Sequence, residues 1–133
     1  TIWSILHMAG GGLHVLGIRL YDLIIIPLVG APYHILKYDQ VIHVFGFAIA
    51  TFVMFHLIKG KLKKPIKGWI SLSIVVVMAG LGTGAINEII EFIVFIFVAG
   101  NGIGGYENTS LDLISNLIGS VIAMIIIKMR VKK

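Results

Sequence analysis

Between Trp69 and Val98 the chain carries only two charged residues, Glu88 and Glu91, in a run that is otherwise apolar or neutral. About 20 consecutive apolar residues suffice for a helix to cross the hydrocarbon core of a bilayer. This run therefore constrains the fold more than any other feature, because it reads as a membrane span. A charged side chain at the centre of a span costs roughly 2.5–3.5 kcal/mol even on lenient insertion scales. Residues three apart lie on one helix face, so Glu88 and Glu91 point to one shared polar site between helices. Two carboxylates that close in a low dielectric cannot easily both ionise. They share a proton, hold a cation, or pair with a protonated histidine or with Arg19.

The rest of the chain repeats the apolar pattern. Only 13% of its residues are charged, against about 25% in a soluble domain. The expected fold is an all-α, polytopic transmembrane helical bundle, one domain over residues 1–133. It has about four membrane segments, near residues 2–18, 39–58, 69–98 and 111–127. Residues 19–38 collect Arg19, Asp22, Pro27, Gly30, Pro32, His34 and Lys37. The apolar run at 23–29 is too short to span, so this part reads as re-entrant or interfacial, with Tyr21, Tyr33 and Tyr38 in the aromatic belt. The third segment is long for a bilayer, which predicts tilt or a kink near Gly80, Gly82 and Gly84. Gly80-x-x-x-Gly84 and Ser115-x-x-x-Gly119-x-x-x-Ala123 read as small-residue packing stripes. The glycines of the first segment, Gly10, Gly11, Gly12 and Gly17, suggest close approach by another helix. The chain starts at Thr1 rather than Met, as expected of a processed or truncated chain, and shows no signal-peptide pattern.

Charge placement orients the bundle. Of the 11 Lys and Arg residues, all but Arg19 and Lys37 fall in two clusters, at 59–67 and 128–133. Cytoplasmic loops are rich in Lys and Arg, so the basic loop at 59–68 and the C-terminal tail are expected inside. Both chain ends are then cytoplasmic, and the acids lie in the outer half of the bundle. The basic residues form membrane-flanking clusters rather than a folded face, so nucleic acid is not an expected partner. Membrane lipids are, together with a second copy of the chain or other membrane subunits. With no cysteine, disulfides and thiolate metal sites are excluded.

Other polar residues at the depth of Glu88 and Glu91 complete a candidate constellation. Asp39-x-x-x-His43 places a carboxylate and an imidazole on one helix face, suited to metal binding or to a base oriented by an acid. The plainer reading makes Asp39 a helix cap. Asp112-x-x-x-Asn116 repeats the spacing, although Asp112 also suits a helix N-terminus, with Thr109 and Ser110 as caps. His7 and His14, seven apart, are expected on one face of the first helix. A triad of Asp39, His43 and His56 fails, because His43 and His56 would stand about 20 Å apart along a continuous helix. The run Gly100-Asn-Gly-Ile-Gly-Gly105 matches GxGxxG but follows a helix rather than a strand, and reads as a loop. Asn108-Thr-Ser110 forms a glycosylation sequon.

Taken together, Leu6-His-Met-Ala-Gly-Gly11, Tyr38-Asp-Gln-Val-Ile-His-Val-Phe-Gly-Phe47, Asn87-Glu-Ile-Ile-Glu-Phe92 and Asp112-Leu-Ile-Ser-Asn-Leu-Ile-Gly119 resemble the YjdF-like family of uncharacterised prokaryotic inner-membrane proteins. More distantly they resemble the VanZ-like family, linked to glycopeptide resistance. The YjdF-like resemblance implies a multi-pass protein of the prokaryotic inner membrane. It carries over Asp39, His43, Glu88, Glu91, Asp112 and Asn116 as polar positions, with His7. VanZ-like proteins have Gln near where Glu91 stands and an Arg before the last helix, and this chain has neither.

The leading functional expectation is a site near the outer leaflet that binds a divalent metal ion, with O and N ligands suited to a hard or borderline cation. Such a site would support hydrolysis or transfer on a lipid-linked or envelope substrate. His43, Glu88, Glu91 and Asp112 are the expected ligands; Glu88, Glu91, His43 and Asp39 are the acid–base candidates; Asn116, His14 and His7 support them. Two alternatives stand beside it. One is a small proton- or cation-coupled transporter, for which the inner half of the third segment supplies only Ser71 and Ser73. The other is a non-catalytic subunit of a larger membrane complex.

Overall fold

In the computed structural model, residues 2–29, 35–63, 65–97 and 105–131 are described. The expected positions Gly30, Pro32, Tyr33, His34, Lys64, Lys132 and Lys133, and the glycine-rich run at 100–104, lie outside them. The elements in chain order are α1 (Ile2–Gly12), β1 (His14–Val15), β2 (Ile18–Arg19), a 3-10 turn (Leu20–Asp22), β3 (Ile24–Val29), β4 (Ile35–Lys37), α2 (Tyr38–Lys59), α3 (Trp69–Phe97) and α4 (Tyr106–Val131). Helices dominate, as expected, and three of them, α2, α3 and α4, are long and apolar enough to cross a membrane.

The first segment departs from expectation. Its helix stops at Gly12 after 11 residues, about 16 Å of axis, half of a hydrocarbon core. Three successive glycines explain the stop, since each costs about 1 kcal/mol relative to alanine in a helix interior. The chain then turns through Leu16 (φ 53°) and Gly17 (φ 82°). These two left-handed residues join β1 to β2 as a tight hairpin, pairing His14 with Arg19 and Val15 with Ile18. His14 is therefore on a strand and exposed, not one helix face away from His7.

Within residues 23–29, expected as part of a re-entrant or interfacial segment, Ile24–Val29 form β3, exposed along its length and antiparallel to β4. The isoleucines at 24–26 favour strand, and Pro27 is incompatible with a helix interior. Two small two-stranded sheets thus join the bundle.

The three long helices meet along stripes in which successive buried residues are four apart. On α2 the stripe is Asp39, His43, Phe47, Thr51 and Phe55; on α3 it is Val76, Gly80, Gly84 and Glu88. On α4 it holds Asp112, Asn116, Ser120 and Met124, flanked by Ser115, Gly119, Ala123 and Ile127. The stripes grade from apolar to polar along the bundle. Phe55, Val76, Met124 and Ile127 form an apolar cluster at one end. At the same end Lys59 and Leu62 approach Val131, so the basic loop and the end of α4 lie together. Hydroxyls and glycines occupy the middle, and Asp39, His43, Glu88, Asp112 and Asn116 the other end, hereafter the polar end.

The middle layer is close-packed through glycine, and α3 continues through Gly80, Gly82 and Gly84 as one helix of 29 residues. A Cβ at Gly80 would run into Thr51 and Ser120, one at Gly84 into Asn116, and one at Gly119 into the backbone carbonyl of Val44. The reverse face of α3 exposes Ile70, Ile74, Val75, Met78, Ile86 and Ile93. Large apolar side chains outside and polar ones inside invert the soluble arrangement and suit a hydrocarbon surround.

α1 lies antiparallel to the first turns of α2. Trp3 Nε1 donates to Ile42 O at 3.0 Å, and Tyr38 Oη donates to Leu6 O at 3.3 Å. Gly46 leaves space for the Trp3 ring, and Gly10 for the ring of Tyr21. Gly10 and Gly11 of α1 thus accommodate an aromatic side chain, Tyr21, rather than another membrane helix, and Gly12 faces open space.

Candidate functional site

The start of α2 is fixed by Gln40, whose Oε1 accepts from Leu36 N at 2.6 Å and Lys37 N at 3.2 Å. A glutamine at the third helical position satisfying the cap's N–H is one half of a capping box. The helix begins at Tyr38, so Asp39 is inside its first turn rather than capping it. One turn later comes His43, which is wholly buried. Its Nε2 faces Asp39 Oδ1 at 3.6 Å. Its Nδ1 lies 2.9 Å from Asn116 Oδ1 and 3.5 Å from Glu88 Oε1. With Asn116 Oδ1 as acceptor, Nδ1 carries the proton, and the neutral ring turns its Nε2 lone pair toward Asp39.

Asp112 and Asn116 are also wholly buried, and Glu88 is 5% exposed. α4 begins at Tyr106, earlier than expected, and Ser110 Oγ donates back to Tyr106 O at 3.0 Å rather than capping the helix. Asn108 thereby falls one turn before Asp112. Its Nδ2 donates both to Asp112 Oδ2 and, at 3.2 Å, to Asp39 Oδ2. Among the described residues, both oxygens of Glu88, Oδ1 of Asp112, Nδ2 of Asn116 and Nε2 of His43 are buried without a hydrogen-bond partner. Such groups are rare in folded proteins and call for an explanation, an ion among them.

Among the described residues, two groups of side chains could hold a metal ion: His43, Glu88 and Asp112, all buried, and His7, Asp39 and His43. In each, one ligand atom per residue lies within 4.8 Å of the others. A tetrahedral ion with bonds near 2.1 Å holds its ligands about 3.4 Å apart, so small side-chain rotations would close either group.

Glu91 stands outside both groups, contrary to its expected place as a ligand. Three residues along α3 turn it toward α1, where His7 Nε2 meets Glu91 Oε1 at 3.1 Å. Asn87 Nδ2 donates to the same oxygen at 2.6 Å. Tyr21 completes this corner: its Oη lies 3.0 Å from His7 Nδ1 and donates to His7 O. A protonated His7 satisfies every contact, with Nε2–H to Glu91 and Nδ1–H to the tyrosine oxygen. Burial lowers the His7 pKa, but Glu91, through its hydrogen bond and its charge, leads the carboxylates that together raise it above its ordinary 6.5. The His7 and His43 rings stand 5.4 Å apart at 61°, so the two corners are contiguous. Arg19, the other expected partner of the glutamates, pairs with Asp22 at 3.0 Å.

The geometry thus brings Asp39, His43, Glu88, Asp112 and Asn116 together, sets His7 and Glu91 beside them, and leaves His14 outside. His56 is exposed near the basic end. Sequence reasoning passed over Asn108 as part of a sequon, although Asn108-x-x-x-Asp112-x-x-x-Asn116 continues the helix face by one turn. Trp3 carried no signal of its own.

A membrane-family match covers all of this. The description "Predicted membrane protein (DUF2238)" matches residues 1–133. The chain belongs to the DUF2238 family. Membership in DUF2238 is consistent with the YjdF-like resemblance and does not bear on the VanZ-like one. No curated protein and no solved structure matches the chain.

Proposed function

We propose that this DUF2238 protein binds a divalent cation at His43, Glu88 and Asp112, and that the site supports hydrolysis or transfer on a lipid-linked or envelope substrate. The observation that carries the reading is the grouping of these three buried side chains, with both Glu88 oxygens and one Asp112 oxygen unpartnered. A bound cation would satisfy all three at once. The donor set, carboxylate oxygen and imidazole nitrogen, suits a hard or borderline ion. Asn116 fixes the His43 ring, Asn108 holds Asp39 and Asp112 together, and Asp39 faces the other imidazole nitrogen. Glu91 and His7 form an adjacent acid–base pair. The Lys and Arg clusters favour a cytoplasmic basic end, and in that orientation the site would lie in the outer half of a prokaryotic plasma membrane.

Elemental analysis of the wild type and of Glu88→Gln in mild detergent tests the reading. Near-stoichiometric metal lost in the variant supports it; absence of metal from wild type reconstituted with divalent ions overturns it. A proton or cation carrier is the second reading. Against it stands the apolar cluster of Phe55, Val76, Met124 and Ile127, which closes the polar stripe toward the basic end.

A further inference from the structure

His7 and Asp39 have no part in the proposed His43–Glu88–Asp112 site, yet with His43 they bring one ligand atom each within 4.8 Å of the others. α1 supplies the first of these residues and the opening turns of α2 the other two. The two nitrogens of His43 face different carboxylates: Nδ1 lies 3.5 Å from Glu88 Oε1, and Nε2 lies 3.6 Å from Asp39 Oδ1. Both distances are near the spacing of about 3.4 Å between ligands of one tetrahedral ion. His43 is wholly buried, and its Nε2 has no hydrogen-bond partner among the described residues.

The hydrogen bonds around both rings leave Nε2 for an ion. Tyr21 donates its one hydroxyl proton to His7 O, so its oxygen accepts from His7 Nδ1, 3.0 Å away. Asn116 Oδ1 accepts from Nδ1 of His43 in the same way. A metal-binding histidine almost always donates its other ring N–H to an oxygen, which fixes the tautomer and aims the ligating nitrogen. In His7 that nitrogen meets Glu91 at 3.1 Å; an ion takes the place of the proton this pair holds, and Glu91 stays beside it as an offsetting charge.

The geometry points to a second cation site, formed by His7, Asp39 and Nε2 of His43. Two imidazoles and one carboxylate are a known ligand set for zinc, and they suit a borderline ion better than magnesium or calcium. With Nδ1 of His43 held by Asn116, this site stands without the first. When both are filled, the His43 ring gives up its Nδ1 proton and bridges the two ions. Because His7 belongs to α1, the second ion ties that short helix to α2. The second site goes beyond the proposed function and rests on that reading only for the bridge.

The full chain in mild detergent, stripped with chelator and reloaded with Zn²⁺, tests the second site through zinc per chain and proteolysis of the N-terminal segment. Wild type is expected to hold two ions, and Glu88→Gln and His7→Gln one each. Asp39→Asn, close in shape to the native residue, is also expected to hold one and serves if His7→Gln does not fold. Zinc should slow cleavage of the N-terminal segment in wild type and Glu88→Gln, but not in His7→Gln or Asp39→Asn. Tyr21→Phe keeps all three ligands and loses the oxygen that orients His7; it should weaken the second site roughly 10–100-fold. A wild type without zinc, or folded His7→Gln and Asp39→Asn proteins that hold as much as wild type, overturns the proposal. So does a wild type whose zinc Glu88→Gln removes entirely, and the first site then stands alone. Zinc lost in His7→Gln but unchanged in Glu88→Gln would sink the first site and keep the second.

Discussion

His43 and Glu88 face one another at 3.5 Å from neighbouring helices, yet Glu88 has no hydrogen bond among the described residues. A buried carboxyl left unsatisfied costs on the order of 1–3 kcal/mol or more. Glu88→Gln keeps the shape and removes the ionisable group. In metal-free protein it is expected to raise the thermal midpoint, as when a residue kept for activity rather than stability is replaced. A lower midpoint would mean that Glu88 is a structural partner of His43.

Packing at the centre of the bundle gives a paired prediction. Gly119 touches the Val44 carbonyl, whereas Gly82, on the exposed side of α3, has open space where a Cβ would go. Gly119→Ala should destabilise by about 1–3 kcal/mol, the usual cost of overpacking. Gly82→Ala should stabilise by up to about 1 kcal/mol through helix propensity. Thermal unfolding in detergent reads both, and equal effects would show that the helices do not meet at Gly119.

Asn108 is the one described residue that donates to both Asp39 and Asp112. Asn108→Ala leaves two buried carboxyls without that donor and should cost about 1–3 kcal/mol. Asn108→Asp places a third carboxyl between them and should cost more at neutral pH than in acid. A denaturation series across pH checks the ordering of the two variants.

The His7–Glu91 pair predicts a pH dependence for the docking of α1. The folded-state pKa of His7 lies above its ordinary 6.5. A raised histidine contributes stability that is fully present below the unfolded value and is lost as pH rises through the folded one. In chelator-treated protein, Trp3 fluorescence and proteolysis of the N-terminal segment should report tighter docking at pH 6 than at pH 8–9. His7→Gln should flatten that profile.

Much of the bundle was legible from residue spacing. Long apolar runs mark spans, and four-residue steps from Asp39, from Asp112 and back from Glu88 mark buried faces. The first forty residues were harder, because Ile2–Ile18 is apolar enough to pass for a span. What ends the helix is local: glycines at 10–12, then a turn at Leu16 and Gly17 whose conformation hydropathy does not register. The parting of Glu88 from Glu91 was likewise hidden. Three residues of helix leave side chains close enough to share a face, yet far enough apart to face different neighbours. Which neighbours they find depends on where α1 docks, and that is fixed by Trp3, Leu6 and Tyr38 through contacts distant in sequence.

Gly80, Gly84 and Gly119 act as notches cut for particular neighbours: Thr51 and Ser120 sit over the first, Asn116 over the second and the Val44 carbonyl over the third. Asn116 in turn holds the His43 ring at 2.9 Å. The placing of that imidazole is therefore set in part by a side chain that Gly84 lacks. A methyl group added at Gly84 would press on Asn116 and so change the reach of His43 toward Glu88 without touching either residue.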